Sequence, residues 1–282
     1  MKTNFYMESQ QFCYVYEKYK TEEINGKKYV LPEKNARRTA LLADRITDAM
    51  LDLLNIGKKV YLNKEIEEHE ILEYVRKYGL FGFMSDFSIN RYYILDDEVI
   101  LRDYNLIYNA DHINKVGLTE YLKMFMPKST DKQIVSLIEK CRNEILETTM
   151  EKYLTPSLNE YLIFNENYAE PYEMILNYAK TLYQSLAHVM EKDYSIPFSP
   201  IIVPNNVTSV IDRVPGEIGI RYGYFKQAID MNFLINLTQD VQLLKICKFC
   251  KKVFIAANPK SEYDTPNCKN KANVYKNRGK TF

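Results

Sequence analysis

Three cysteines near the C-terminus have the spacing of a metal site. Cys247 and Cys250 are separated by two residues, and Cys268 follows after a short loop. A Cys-x2-Cys pair can close a tight turn in which both thiolates point at one ion, and thiolates are common ligands of structural zinc. The sequence therefore predicts one zinc ion per chain, with a fourth ligand still to be assigned.

Asp264 is the candidate for the fourth ligand, because it precedes Cys268 by four residues and residues four apart share a helix face. A carboxylate oxygen binds zinc at about 2.0 to 2.2 Å and a thiolate at about 2.3 Å, so a Cys3Asp site is feasible. Two alternatives stay open. In the first, Asp264 is a helix N-cap, a role that it could also combine with metal binding. In the second, this segment has lost its metal, and Phe254 and Tyr263 form a small apolar core around three free thiols.

The histidines and the remaining cysteines do not suggest a second reactive site. His69 stands in the run EIEEHEI, where a zinc-protease motif would need another histidine four residues later, and none follows. His112 and His188 are isolated as well, and Cys141 falls on the apolar stripe of a predicted helix, where cysteine packs as a small hydrophobe. Phosphate-binding loops and catalytic triads are also missing from the sequence, so we expect no enzyme.

The C-terminal segment resembles the small zinc fingers of the CGNR type, which in bacteria follow an ABATE-like N-terminal domain. The matching residues are Cys247-x2-Cys250-x3-Phe254, Tyr263 and Cys268-Lys269-Asn270-Lys271. The chain departs from the family pattern at Asp264 in place of Cys, Lys269 in place of Gly and Lys271 in place of Arg. This resemblance covers only the C-terminal region, and it implies a treble-clef fold and nucleic-acid binding by a transcription-regulator-like protein.

Charge is distributed unevenly along the chain. From Lys245 onward, ten Lys or Arg residues accompany only Glu262 and Asp264, a net charge of +8, whereas the rest of the chain carries −7. A basic tail on an acidic body predicts contact with a polyanion such as DNA or RNA. The alternative is a protein-interaction module, in which the finger is a structural clip and the tail contacts an acidic protein partner or the acidic body itself.

The candidate nucleic-acid contacts lie on or just after the predicted finger helix: Lys269, Lys271, Tyr275, Lys276, Arg278 and Lys280. At 3.6 residues per turn, the basic residues fall on two opposite sides of that helix. Lys269, Lys276 and Lys280 share one side, and Lys271 and Arg278 share the other. Two basic faces favour contact with backbone phosphates, with Tyr275 available for stacking, over the reading of bases.

The elements that would position this site suggest an α+β protein. Residues 1–215 are predicted as a mainly helical body with small β hairpins, a sensing or scaffold domain. Residues 216–282 are predicted as a long helix, Tyr224 to Leu244, that leads directly into a treble-clef-like zinc finger with a basic tail. Other predicted helices run from Asn35 to a stop at Gly57, from Glu65 to Tyr78, from a capping box at Thr130 and Gln133, and from Pro171 to Asp193. Strands are predicted for KKYVLP, and a hairpin for residues 90–107 with Asp96 and Asp97 in its turn.

Composition limits the protein's class and compartment. The chain is 46% hydrophobic and 27% charged, the composition of a globular protein, and no apolar run approaches the ~18 residues of a membrane span. The first residues contain no apolar signal segment, and an odd number of cysteines suits a reducing compartment. We therefore expect a cytoplasmic protein with no membrane partner.

Overall fold

The computed structural model describes residues 4–7, 14–40, 45–87, 93–101, 114–148, 167–191, 208–211, 217–221, 224–238 and 243–277. Within these ranges the chain is α+β, as predicted, with long helices and small sheets. His112, Arg278 and Lys280 lie outside the described residues. No helix in the ranges that the structure covers combines the length and apolar character needed to cross a bilayer.

The helices of the described ranges fall in this order: α1 Ile46–Tyr61, α2 Glu68–Tyr78, α3 Phe83–Phe87, α4 Leu118–Phe125, α5 Asp131–Thr148, α6 Tyr172–Glu191, α7 Phe225–Thr238 and α8 Pro266–Asn277. The strands are β1 Asn4–Met7, β2 Tyr14–Tyr16, β3 Tyr19–Ile24, β4 Lys27–Pro32, β5 Arg38–Ala40, β6 Glu98–Leu101, β7 Asn114–Gly117, β8 Glu170–Pro171, β9 Thr208–Ile211, β10 Glu217–Arg221, β11 Leu244–Ile246 and β12 Val253–Ile255.

The strands pair into small, mostly antiparallel sheets. β4 lies between β3 and β8, β2 pairs with β5, β6 with β7 and β11 with β12, while β10 lies between β9 and a parallel β1. The β3–β4 turn is Asn25-Gly26, both with positive φ, which is the backbone that a two-residue hairpin turn requires. Strand β4 matches the predicted KKYVLP segment.

The core of the body forms around α1, which packs side by side with α6 and also contacts α7. Gly57 was predicted to end α1, and this prediction is wrong because the helix continues to Tyr61. A Cβ placed on Gly57 would overlap the carbonyl oxygen of Ala179 in α6. Glycine is therefore required here for the close approach of two helix backbones rather than as a helix stop.

Three other predicted elements differ from the structure. The helix expected from Asn35 begins only at Ile46, because residues 38–40 form β5 and pair with β2. The expected hairpin of residues 90–107 is not formed, since Tyr93–Leu95 is a 3-10 turn and β6 pairs with β7 across a longer connection. The helix expected to run from Tyr224 to Leu244 ends at Thr238, and strand β11 leads into Cys247 instead.

The capping box at Thr130 and Gln133 is confirmed. The backbone N–H of Gln133 donates to the Thr130 hydroxyl at 3.3 Å, and the backbone N–H of Thr130 donates to the side-chain carbonyl oxygen of Gln133 at 2.8 Å. Helix α5 therefore begins where the sequence indicates. Cys141 on the same helix is fully buried in the body core, as predicted.

A buried carboxylate, Glu170, fixes the segment that enters α3. Its oxygens accept hydrogen bonds from the backbone N–H groups of Phe81, Gly82 and Phe83 at 2.6 to 3.2 Å and from the Tyr168 hydroxyl at 2.8 Å. Burial nevertheless raises the pKa of Glu170 to about 7. This side chain satisfies backbone donors that would otherwise be buried without partners.

A buried ionic cluster joins α3 to α7. The Lys226 ammonium lies 2.9 Å from Asp86 and 2.5 Å from Asp230, and all three side chains are almost completely buried. The Tyr224 hydroxyl donates to Asp86 and the Tyr178 hydroxyl donates to Asp230, each at 2.7 Å. Because each charge has an opposite charge or a donor beside it, the cluster holds its helices in one arrangement.

Candidate metal centre

The first two cysteines lie in the turn between β11 and β12. The backbone N–H of Cys247 donates to the carbonyl of Lys252 at 2.9 Å, and the N–H of Lys251 donates to the carbonyl of Cys247 at 3.0 Å. Lys251 adopts a left-handed conformation with φ of 62°, which lets the chain reverse within this short turn. The turn brings the side chains of Cys247 and Cys250 to one side.

The other two donors belong to the start of α8. Thr265 is the N-cap of this helix, because its hydroxyl accepts a hydrogen bond from the N–H of Cys268 at 3.2 Å and Pro266 occupies the first helical position. The alternative in which Asp264 caps the helix is therefore wrong. Its carboxylate lies instead 3.4 Å from the Sγ of Cys247.

The four donors meet at one point. One ligand atom from each of Cys247, Cys250, Asp264 and Cys268 lies within 4.8 Å of every other, and this is a set that could hold a metal ion. Cys247 is fully buried, Cys250 is exposed, and the other two are partly buried. Four donors with three thiolates fit the coordination number and ligand preference of zinc.

The electrostatics of the cluster fit a cation. A hydrogen bond to the Asp264 carboxylate is the largest of the effects that raise the pKa of Cys268 to about 12, and Cys250 adds to the rise. Burial and the neighbouring Cys247 raise the pKa of Cys250 as well. The raised pKa values favour protonated thiols beside the carboxylate, and a bound divalent cation would favour their thiolate forms instead.

A small apolar core stands beside the donors. Phe254 and Ala256 are buried with Cys247, and Phe249 and Tyr263 pack against them. The apolar core on which the second alternative depends is thus formed, beside a donor set that has converged.

The β11–β12 hairpin joins this core to the body. Leu244, Ile246, Val253 and Ile255 pack on the main core, while Phe254 on the opposite face packs in the small core. Asn55 of α1 holds the edge of β12 with two hydrogen bonds to Val253, accepting from its N–H at 2.9 Å and donating to its carbonyl at 3.2 Å. The candidate metal centre is therefore docked on α1.

Lys58 makes a second contact between α1 and the cysteine turn. Its ammonium donates to the carbonyl of Cys250 at 3.3 Å. Burial lowers the pKa of Lys58, and the charges of Cys250 and Cys247 act in the opposite direction. The amine is thus placed where thiolates would stabilise its charged form.

The basic residues of the tail fall into two groups. In the first group, Lys248 forms an ion pair with Glu262 at 2.5 Å, Lys245 donates to the carbonyls of Pro259 and Ser261, and Lys251 donates to the carbonyl of Lys248 at 2.9 Å. The second group consists of exposed lysines whose side chains form no hydrogen bond or ion pair in the described part of the chain: Lys252, Lys260, Lys269, Lys271 and Lys276. Among the described residues, these lysines therefore have no acidic partner.

Helix α8 turns one side toward the small core. Ala272 is buried, Cys268 is partly buried, and the Tyr275 ring packs edge-on against Phe249 at 5.6 Å between ring centroids. Tyr275 keeps 41% of its surface exposed, so its outer part can still meet a ligand. Lys269, Lys271 and Lys276 lie on the flanks of this buried side, as the helical spacing predicts.

Sequence reasoning did not assign the roles of four residues that shape the site. The Thr265-Pro266 pair carries the local signal of an N-cap followed by the first helical residue, and it could have been recognised. Asn55 gives no such signal, because its partner Val253 is 198 residues away in the chain. Lys58 is similar, since only the folded arrangement brings it to Cys250.

The chain was also compared with known proteins. A scan against protein-family models, a search of curated proteins and a search of solved structures each found no match.

Proposed function

We propose that residues 243–277 form a treble-clef-like zinc finger that binds nucleic acid. Cys247, Cys250, Asp264 and Cys268 would hold the ion, and zinc would join the hairpin turn to the first turn of α8. The role of the metal would be structural, because all four ligand positions come from the chain. The convergence of these four donors supports this part of the proposal.

The unpaired lysines carry the functional part of the proposal. Lys252, Lys260, Lys269, Lys271 and Lys276 are exposed around the same small unit, and none of them pairs with an acidic residue in the described ranges. A clip held by the acidic body would satisfy its lysines with body carboxylates, whereas Lys248 pairs with Glu262 of its own unit. Free cationic side chains favour a polyanionic partner.

The mechanism is electrostatic docking. Each lysine that reaches a phosphate releases counterions from the nucleic acid, so affinity falls with salt at a slope near −0.9 per contact on duplex DNA. Docking of the finger on α1 through Asn55 would hold the basic surface in a fixed orientation to the body. The body would then report or regulate binding through that contact, as a sensing domain would.

The test uses the full chain and a labelled duplex of about 20 bp, with affinity measured between 50 and 200 mM salt. We expect steep salt dependence, and we expect a triple variant, Lys269→Gln, Lys271→Gln and Lys276→Gln, to flatten the slope by roughly two to three units. A matched control changes three exposed body lysines to Gln: Lys27, Lys34 and Lys64. This control has the same net charge as the finger variant, and we expect it to retain the salt slope of wild type.

Two results would contradict the nucleic-acid proposal. One is no binding at 50 mM salt by protein whose zinc content has been measured. The other is an equal loss of slope in the finger variant and the body control, which would mean that overall charge and not the finger surface is responsible. Either result would favour the interaction-module alternative, and cross-linking of the tail to an acidic partner would then be the informative experiment.

A further inference from the structure

The outward side of α8 carries asparagines. Asn270, Asn273 and Asn277 are exposed, and at 100° per residue they fall within about 60° of one another around the helix. Val274 lies next to them and is 45% exposed. This side is opposite the one that carries buried Ala272, so it faces away from the small core.

These asparagines have no structural role among the described contacts. Their side chains form no hydrogen bond or ion pair in the ranges that the structure describes. Asparagine is also one of the weaker helix formers, since its side chain competes for backbone hydrogen bonds. Within the described contacts, three of them on one exposed helical surface stabilise neither the helix nor its packing, and a ligand would account for them.

Lysines stand on both sides of the asparagine face. Lys269 and Lys276 lie on one flank, and Lys271 lies on the other. The sequence suggested that two basic directions disfavour base reading. In the structure, however, the asparagine face lies between the two sets of lysines. The phosphates of the two DNA strands likewise lie on both sides of the base edges in a groove.

We propose that α8 enters the major groove of duplex DNA and that its asparagine face reads adenine. An asparagine amide can donate to adenine N7 and accept from the adenine N6 amino group in one bidentate contact. Val274 is placed to meet a thymine methyl group, and the flanking lysines would contact phosphates. This inference rests on the proposed function and gives it a substrate class, A·T-containing duplex DNA.

Helix and groove dimensions favour DNA over RNA as the partner. A helix with side chains is about 10 to 12 Å across and fits a B-form major groove of about 12 Å, whereas the A-form RNA groove is too narrow to be read. From Asn270 to Asn277 the helix rises about 10.5 Å, which spans about three base pairs at 3.4 Å each. The expected recognition window is therefore three to four base pairs.

The experiment begins with selection of duplexes from a random-sequence pool by the full chain. We expect adenine to be enriched at two or more positions within about four neighbouring base pairs. The selected duplex is then compared with the same duplex made with 7-deazaadenine, which lacks the N7 acceptor but keeps the backbone. We expect wild type to bind the modified duplex about tenfold more weakly, as loss of about half of a bidentate contact at each of two adenines would give.

A double variant, Asn270→Ala with Asn273→Ala, assigns the effect to the helix face. It should bind the two duplexes equally and keep the salt slope of wild type, because its lysines are unchanged. Its melting temperature should stay level or rise, since alanine is the better helix former. Asn143→Ala, an exposed asparagine on α5, is the matched control and should discriminate as wild type does.

The outcomes separate this inference from the proposed function. No adenine enrichment, or equal wild-type affinity for the two duplexes with a steep salt slope, overturns adenine reading and leaves phosphate-led binding intact. Binding of single-stranded RNA in preference to any duplex overturns the choice of partner. No binding to any nucleic acid overturns both the inference and the proposed function.

Discussion

At the start of α8, helix capping and contact with the thiols belong to two different residues, whereas the sequence allowed Asp264 to do both. Thr265 caps the helix through the N–H of Cys268, and Asp264 turns its carboxylate toward the thiols. The cap does not require Asp264, although the Thr265 hydroxyl also lies within hydrogen-bond distance of the Asp264 carboxylate, at 3.4 Å. The ligand role of Asp264 can thus be tested without loss of the helix.

We predict that Asp264→Ala lowers zinc affinity at least tenfold and that Asp264→Cys raises it, since the substitutions remove or strengthen a fourth donor. Competition with a chelator of known affinity measures both. The control is Thr265→Ala, which should lower the free energy of unfolding by about 1 kcal/mol through loss of the cap and leave zinc stoichiometry unchanged. Equal zinc affinity in wild type and Asp264→Ala would remove Asp264 from the ligand set.

Glu170 gives the protein a pH dependence that can be isolated by substitution. Burial raises its pKa from 4.5 to about 7, so folding favours the protonated form. Its contribution to stability is therefore complete below about pH 4.5 and is lost as pH rises through about 7. A shift of this size corresponds to about 3 kcal/mol.

We predict that the free energy of unfolding of wild type, relative to that of Glu170→Gln, falls by about 3 kcal/mol between pH 5 and pH 8. Glutamine does not titrate, and the other buried acids, including Asp230, are common to both proteins and cancel in the difference. Chemical denaturation at the two pH values measures it. A difference that stays constant with pH would show that Glu170 is ionised throughout, held by its three backbone donors.

At the scale of elements, the helices and strands that were predicted correctly are those marked by short-range sequence patterns. The capping box at Thr130, the strand Lys27–Pro32 and the apolar periodicity of α2 and α6 all correspond to observed elements. The three cysteines and Asp264 were predicted as one site because metal-ligand spacing is also local, and their donor atoms do converge. Short-range patterns therefore account for the site's composition and for much of the helical body.

The missed elements depend on contacts between distant parts of the chain. Leu244 and Ile246 flank Lys245 in a segment too short to distinguish a helix from a strand, and its pairing with Val253–Ile255 decides the outcome. Arg38–Ala40 is likewise a strand because β2 lies beside it. Gly57 has the local signal of a helix stop, but glycine is needed there because the carbonyl of Ala179 leaves no room for a Cβ. None of these partners is visible in a local window.

The contact of α1 with α6 gives a sharp prediction for Gly57→Ala. A Cβ at this position would overlap the Ala179 carbonyl, a backbone atom that cannot move aside, so we expect a loss of about 3 kcal/mol or more in the free energy of unfolding. Gly117→Ala is the control, since no atom lies within 4 Å of the place that an added Cβ would take, and it should change stability by less than about 1 kcal/mol. Similar small effects of the two substitutions in urea denaturation would show that the helices are not in close contact.

At the scale of the molecule, the β11–β12 hairpin is shared by two cores. Leu244 and Val253 belong to the main core of the body, and Phe254 belongs to the small core beside the cysteines. Asn55 and Lys58 add polar contacts from α1 to the same hairpin. The body and the candidate metal centre are therefore linked mechanically, and loss of zinc is expected to reach the body through α1.

The central claim is that Cys247, Cys250, Asp264 and Cys268, whose ligand atoms converge, form a zinc site that would join the hairpin turn to the basic helix. The most direct test is the zinc content of the full chain, purified without chelator and measured by elemental analysis. We predict about one zinc per chain, and markedly less for Cys247→Ser with Cys250→Ser. A wild-type zinc content below about a tenth of an equivalent, with melting unchanged by EDTA, would contradict the claim.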